Sequence, residues 1–321
     1  MTVTLALAGD TMLGRGVAER LCRDPGVSLL AAELEEIARD ADLFVLNLEC
    51  CISERGERIR EPGKPFFFRA PPVAAQRLAE MGVSCVTLAN NHAMDFGADA
   101  LQDTLEHLRA AGITAVGAGP DAATARAPAV LEGGGLRVRV VSVTDHPSGY
   151  AAGPGGPGVA FADLGHEDVP AWLRALSAPG PDADVVVVSP HWGPNMRATP
   201  VAHVRRAAGG LEAAGASLVA GHSAHVPQGP SGRTLFDLGD FIDDYATDSV
   251  LRNDLGLLWL VTLGAGGPLR VEGVPLRLEL AHTRLASDVD TTLLLALLEE
   301  RCAAVGSAVR RESGRLVFEL G

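Results

Sequence analysis

The chain has no apolar run approaching the roughly 18 residues that span a bilayer, and Met1-Thr2-Val3 leads almost directly into a strand with no basic leader. A soluble chain without a membrane anchor is therefore expected. A cationic face is missing too. The net charge is −13 over 321 residues, and the arginines are scattered, which excludes the electrostatic footprint of a nucleic-acid binder or an anionic-membrane binder. An anionic substrate then needs a local cation, and a bound metal ion would supply one. Cysteine is sparse: Cys22, Cys50, Cys51, Cys85 and Cys302 make an odd count with no zinc-type pair spacing. That pattern points to reduced thiols and a cytoplasmic location, and the adjacent Cys50-Cys51 reads as two small buried residues.

Hydrophobic residues make up 47% of the chain, enough to build a large core. Apolar runs of four to eight residues rich in Val and Leu alternate with longer segments of helical period, the pattern of a sheet covered by helices. Strands are expected at 3–9, 43–48, 84–89, 113–116, 136–143, 184–189, 217–221 and 233–238. Helices are expected at 28–40, 71–81, 98–111 and 201–214, the last two ending at Gly112 and Gly215 as C-capping glycines. Segments 50–69 and 145–160 read as long loops able to border or cover a site. After about residue 250 the pattern changes to strands near 256–263, 274–281 and 315–320 with an apolar helix at 288–304. The division expected is 1–250 as the main domain and 251–321 as strands and a helix completing the second sheet.

Five of the apolar runs end in polar residues suited to binding a metal. Asp10 follows Val3–Gly9, Asn47 and Glu49 follow Leu43–Leu46, Asn90-Asn91-His92 follow Val86–Ala89, His191 follows Val185–Pro190, and His222 and His225 follow Ser217–Gly221. In an open α/β sheet the carboxyl ends of the strands meet in one crevice, so this repetition predicts one converging polar site. Each residue alone has a plainer reading. Asp10 could serve a turn, Asn91 an Asx-turn, His191 a strand end and Asp95 the N-cap of the helix near 98. Together they make the mixed nitrogen and oxygen donor set of Mn, Fe or Zn, one or two ions.

The motifs Gly9-Asp10-Thr11-Met12-Leu13-Gly14-Arg15, Asn47-Leu48-Glu49, Asn90-Asn91-His92-Ala93-Met94-Asp95, His191-Trp192-Gly193 and Gly221-His222-Ser223-Ala224-His225 resemble those of CapA proteins. That family, named for poly-γ-glutamate capsule biosynthesis, is a branch of the calcineurin-like metallophosphoesterases, and the resemblance runs over about residues 2–245. It implies an α/β fold, a four-layer αββα sandwich with two mixed β-sheets flanked by helices. It also implies that Asp10 and His225 bind one metal, that Glu49 bridges, and that Asn91, His191 and His222 bind the second. His92 would protonate a leaving oxygen, oriented by Asp95, while a metal-bound hydroxide attacks. Met12 stands where the superfamily places a histidine ligand, so the first metal loses an imidazole.

Arg15, Asn47, Trp192 and Asp240 are candidate substrate contacts, with Lys64, Arg69 and Arg197 as further anion contacts in loops. The cluster Asp237, Asp240, Asp243 and Asp244 reads as a solvated turn or as additional metal donors. A metal-dependent hydrolase of a small anionic phosphoester is the expected function. Hydrolysis of a γ-glutamyl amide, or a non-catalytic accessory role in poly-γ-glutamate synthesis or export, are the alternatives. Homo-oligomer formation stays open.

Overall fold

The strand Val3–Thr11 buries both of its faces, and this sets the layering of the chain. Side chains alternate across a strand, so an uninterrupted apolar run means two covered faces. Val3, Leu5 and Leu7 pack with Val138, Val140, Val185 and Val187 between two sheets. Ala6 and Ala8 point the other way, into a cluster with Leu34, Leu78, Leu101 and Leu108. In Val185–His191 the same division recurs: Val186 and Val188 face Leu173, Val204 and Leu211 on helices. The computed structural model describes residues 1–321 and is a four-layer αββα sandwich, as the family resemblance implies.

The larger sheet has ten strands. Val3–Thr11, Leu43–Leu48, Cys85–Thr87 and Thr114–Val116 run parallel. On the other side of Val3–Thr11 the chain continues antiparallel through Leu255–Gly264, Gly267–Glu279, Arg315–Glu319 and Ala308–Glu312. The smaller sheet holds Leu136–Thr144, Val185–His191, Leu218–Ala220 and Thr234–Leu235 in parallel, with Ala129–Gly133 antiparallel at its edge. The C-terminal segment thus extends the sheet that contains the first strand, and does not complete the second sheet as expected. The free edge of Val3–Thr11 is what receives it, through backbone pairing from Val3 opposite Leu263 to Leu7 opposite Trp259.

Helices Ala32–Arg39, Val73–Glu80, Gly97–Ala110, Ala202–Ala214 and Asp288–Ala303 lie within the expected segments or a residue from them. Gly112 and Gly215 adopt the left-handed conformation just past two of them. Three helices were not foreseen: Arg15–Arg23, Ala122–Arg126 and Ala171–Ser177. Arg15–Arg23 buries only Val17 and Leu21, too few positions to show a period. The strand expected at 233–238 is shorter, Thr234–Leu235, and the chain turns at Gly239 (φ 81°) before Asp240–Ile242 pairs with the first strand.

Candidate metal centre

The two sheets bring their carboxyl edges together, and register places polar residues in a row. Asp10 stands opposite Asn47 on one neighbouring strand and opposite Asp240 on the other, and Asn47 stands opposite Thr87. In the smaller sheet His191 stands opposite Thr144 and bridges to His222. Two glycines make this convergence feasible. A Cβ on Gly9 would lie 1.9 Å from the Gly239 carbonyl oxygen, and one on Gly221 would lie 2.4 Å from both the Phe236 oxygen and Trp192 Nε1. Only the missing side chain lets those backbones approach.

Asp10 lies at the centre. Its Oδ1 is 3.9 Å from His191 Nδ1 and 3.8 Å from His222 Nδ1, and its Oδ2 is 3.3 Å from His225 Nδ1. It therefore belongs to two donor groups, Asp10-His191-His222 and Asp10-Glu49-His225, all buried. Glu49, implied as the bridge, also reaches across, with Oε1 4.0 Å from His191 Nε2. His191 and His222 meet at 2.8 Å between their Nδ1 atoms, and the Ser189 hydroxyl lies 3.1 Å from His222 Nε2.

Whether these residues suit a metal is testable on their unmet bonding capacity. Buried polar atoms normally find partners, yet Glu49 Oε1, Asn91 Oδ1 and His191 Nε2 have none. Burial holds the His191 imidazole well below its usual range and His222 at about 3, so both stay neutral, the form that binds a cation. Burial raises Asp10, Glu49 and Asp240, and Glu49 and Asp240 are raised further by neighbouring carboxylates. Burial opposes charge on His225 as well, but Asp240, Glu49 and Asp10 outweigh it and hold its protonation range high. Neutral imidazoles, crowded carboxylates and unpartnered oxygens together fit one or two divalent ions.

The remaining candidates divide clearly. His92 and Asp95 form a dyad, with Nδ1 donating to Asp95 Oδ2 at 2.6 Å. Burial lowers His92 to about 4 despite that partner. Asp95 also accepts from the Phe68 N–H at 2.6 Å and pairs through Oδ1 with Lys64 at 2.9 Å, the single lysine of the chain. It caps no helix: Phe96 holds that place for Gly97–Ala110. Arg15 sits at the rim of the site, its Nε 3.2 Å from Asp244. Arg69 is turned away, over the Phe96 ring, and Arg197 does not line the cleft.

Three substrate candidates need correction. Asn47 is buried away from the cleft lining, donating to Asp10 Oδ1 at 2.8 Å and accepting from Thr87 and Asn90, so it orients Asp10 and does not face substrate. Trp192 is buried in the apolar layer under the smaller sheet, its Nε1 donating to the Phe236 oxygen, and it supports Gly221 from below. Asp240 accepts from His225 Nδ1 at 2.8 Å and is fully buried, so it serves the donor set. Met12 is buried in the core, its sulfur accepting from the Gly14 N–H. The acidic cluster is no solvated turn either: Asp237, Asp240 and Asp243 are buried, and Asp237 ties down the Ala224 and Gly239 amides.

Sequence reasoning missed His146. Its ring centroid is 5.3 Å from that of His191, and its Nδ1 contacts Asp145. The signal was present, because Asp145-His146 follow the strand Leu136–Thr144 as the other site residues follow theirs. Both long loops border the site as expected, 50–69 through Lys64, Phe66 and Phe68, and 145–160 through His146 and Tyr150.

Comparison with known proteins bears on these motifs. The family described as bacterial capsule synthesis protein PGA_cap matches residues 4–245. A Mycobacterium tuberculosis protein described as a probable polyglutamine synthesis accessory protein is 33% identical, covering 92% of this chain and 90% of its own length. The PGA biosynthesis protein CapA of Bacillus subtilis is 26% identical, covering 99% and 82%, and the capsule biosynthesis protein CapA of Bacillus anthracis is 28% identical, covering 75% and 60%. No helix of the chain is long and apolar enough to cross a membrane.

Proposed function

This chain belongs to the bacterial capsule synthesis family PGA_cap, and we propose that it is a metal-dependent hydrolase of a small anionic phosphoester. The observation that carries this reading is the set of unpartnered buried atoms, Glu49 Oε1, Asn91 Oδ1 and His191 Nε2, beside the His92–Asp95 dyad. Asp10, Glu49, Asn91, His191, His222 and His225 would hold a divalent Mn, Fe or Zn ion, at one or two positions, which would supply Lewis-acid chemistry.

The protein's own residues prepare the rest. His92 gives its Nδ1 proton to a hydrogen bond with Asp95, which points Nε2 toward the donor set, 4.0 Å from Glu49 Oε1. At neutral pH that nitrogen rests unprotonated. An arriving anion stabilises the charged imidazolium, so His92 takes up a proton as substrate binds and can return it to a leaving oxygen. Lys64 locks the dyad from behind, bonded to Asp95 Oδ1 and to the Asn91 carbonyl at 2.6 Å. Asn47 and the Ser223 N–H, at 2.8 and 3.2 Å, fix the two oxygens of Asp10.

Elemental analysis of purified protein is expected to give one or two equivalents of Mn, Fe or Zn. A generic aryl phosphate should then be turned over with Mn²⁺, and His92→Ala should lose that activity while keeping the metal. Protein that binds no metal on reconstitution would sink the reading. Two other readings are action on a γ-glutamyl bond and an accessory part in making a polymer, the latter supported by the description of the mycobacterial relative as an accessory protein. Turnover of γ-glutamyl amides without phosphoesters would favour the first of these, and intact metal binding with neither activity the second.

A further inference from the structure

Above the donor atoms lies a cleft of about 400 Å³ whose walls include Arg15, Phe66, Phe68, His92, Met196 and Tyr245. Phe68 lies against His92 with ring centroids 4.1 Å apart, and Phe66 stacks on Phe68 at 6.3 Å and 12°. Tyr245 stands 5.9 Å from Phe68. The Arg15 guanidinium lies 5.6 to 5.9 Å from the centroids of Phe66, Phe68 and Tyr245. Phe66 is 54% exposed whereas Phe68 beneath it is 2% exposed. A large ring left in water at the mouth of a polar site contributes little to the fold. It offers a stacking face.

Arg15 pairs through Nε with Asp244 at the rim, and Lys64 pairs with Asp95 behind His92. Beneath them lie the buried carboxyl groups of Asp10, Glu49 and Asp240. A planar ring entering here would gain burial and edge or face contacts with three aromatic side chains.

Resting on the phosphoester reading, in which His92 faces the leaving oxygen, we propose that the leaving group of the substrate carries a planar aromatic ring seated on Phe66 and flanked by Arg15 and Tyr245. Because Phe68 lies on the His92 ring, whatever departs past His92 lies over the Phe66–Phe68 stack. The substrate is thus a monoester of an aryl-bearing alcohol.

The test uses the Mn²⁺-loaded full chain and two esters with alkoxide leaving groups, 2-phenylethyl phosphate and glycerol phosphate. The phenylethyl ester is expected to show kcat/KM about tenfold higher, the size of one stacked ring in a desolvated site. Phe66→Ala should bring the two esters to parity by raising KM for the phenylethyl ester. Equal kcat/KM for both esters, or a preference that survives Phe66→Ala, overturns the aromatic seat. If neither ester is hydrolysed, the phosphoester reading fails separately, and calorimetric binding of 2-phenylethylphosphonate against ethylphosphonate decides the seat. Equal affinities would overturn it, and tighter phenylethyl binding that Phe66→Ala abolishes would uphold it.

Discussion

Replacing Asn47 by alanine should loosen the metal centre without touching a metal or a substrate. The Asn47 amide is the only group that donates to Asp10 Oδ1 within hydrogen-bond distance, at 2.8 Å, since His191 and His222 stand 3.9 and 3.8 Å away. Leaving a buried charged acceptor without its donor costs about 1 to 3 kcal/mol. Thr87 and Asn90 lose the Asn47 oxygen as acceptor, but each has another, the Leu46 carbonyl at 3.5 Å and the Leu48 carbonyl at 2.8 Å. Their share is therefore small, and a total of about 3 kcal/mol is reasonable. For a chain of 321 residues each kcal/mol moves Tm by roughly 1.5 °C, so calorimetry of the metal-free protein should show a fall of about 4 to 5 °C. A carboxylate free to rotate also binds a cation less well, and titration with Mn²⁺ should show affinity weaker by about 10- to 100-fold. An unchanged Tm and an unchanged Mn²⁺ affinity, with only KM raised, would refute the orienting role and return Asn47 to the substrate.

Other expectations follow from the same geometry. Asp95→Asn should lower kcat by about 10²-fold or more with metal content unchanged, measured by steady-state kinetics and elemental analysis on one preparation; loss of the metal would show that Asp95 acts elsewhere. His191→Ala removes a member of the Asp10-His191-His222 group and should leave the protein at least one metal equivalent short, so full occupancy would contradict the placement. Gly9→Ala drives a Cβ against the Gly239 carbonyl, and thermal unfolding should show a loss well beyond that of Asn47→Ala. Cys22 is exposed, while Cys51, Cys85 and Cys302 are buried with thiols pushed up to about 12, 12 and 11, and Cys50 is raised as well. A colorimetric thiol reagent at pH 8 should react with one cysteine in the native chain and five after denaturation, and a second fast thiol would mean that one of these layers opens.

Much of the site could be read from the chain because parallel strands deliver their last residues to one edge. Asp10, Glu49, Asn91, His191, His222 and His225 all follow apolar runs, and the structure gathers the carboxylates and imidazoles among them into two groups that share Asp10. His146 obeyed the same rule but fell within the segment 145–160, read as a long loop. The substrate candidates fared worse. Asn47 and Trp192 are polar or aromatic beside a site, and nothing local tells a residue that faces the cleft from one that faces its neighbours. Asn47 was decided by register, which sets it opposite Asp10 on one strand and Thr87 on the other. The lining of the cleft was invisible for another reason. Phe66, Met196 and Tyr245 lie far apart in sequence and meet only where two loops and a turn fold over the strand ends.

By itself the sequence determined the alternation of strands with helices and the polar residues at the strand ends, since both rest on local patterns; the four layers and the ligand roles came from the resemblance to a family. Tertiary structure alone decided that Asp10 is shared between two donor groups, that Asn47 holds it there, and that the C-terminal strands extend the first sheet. Those outcomes depend on which strands become neighbours and in what register, and pairing across tens to hundreds of residues leaves no periodic trace in the chain.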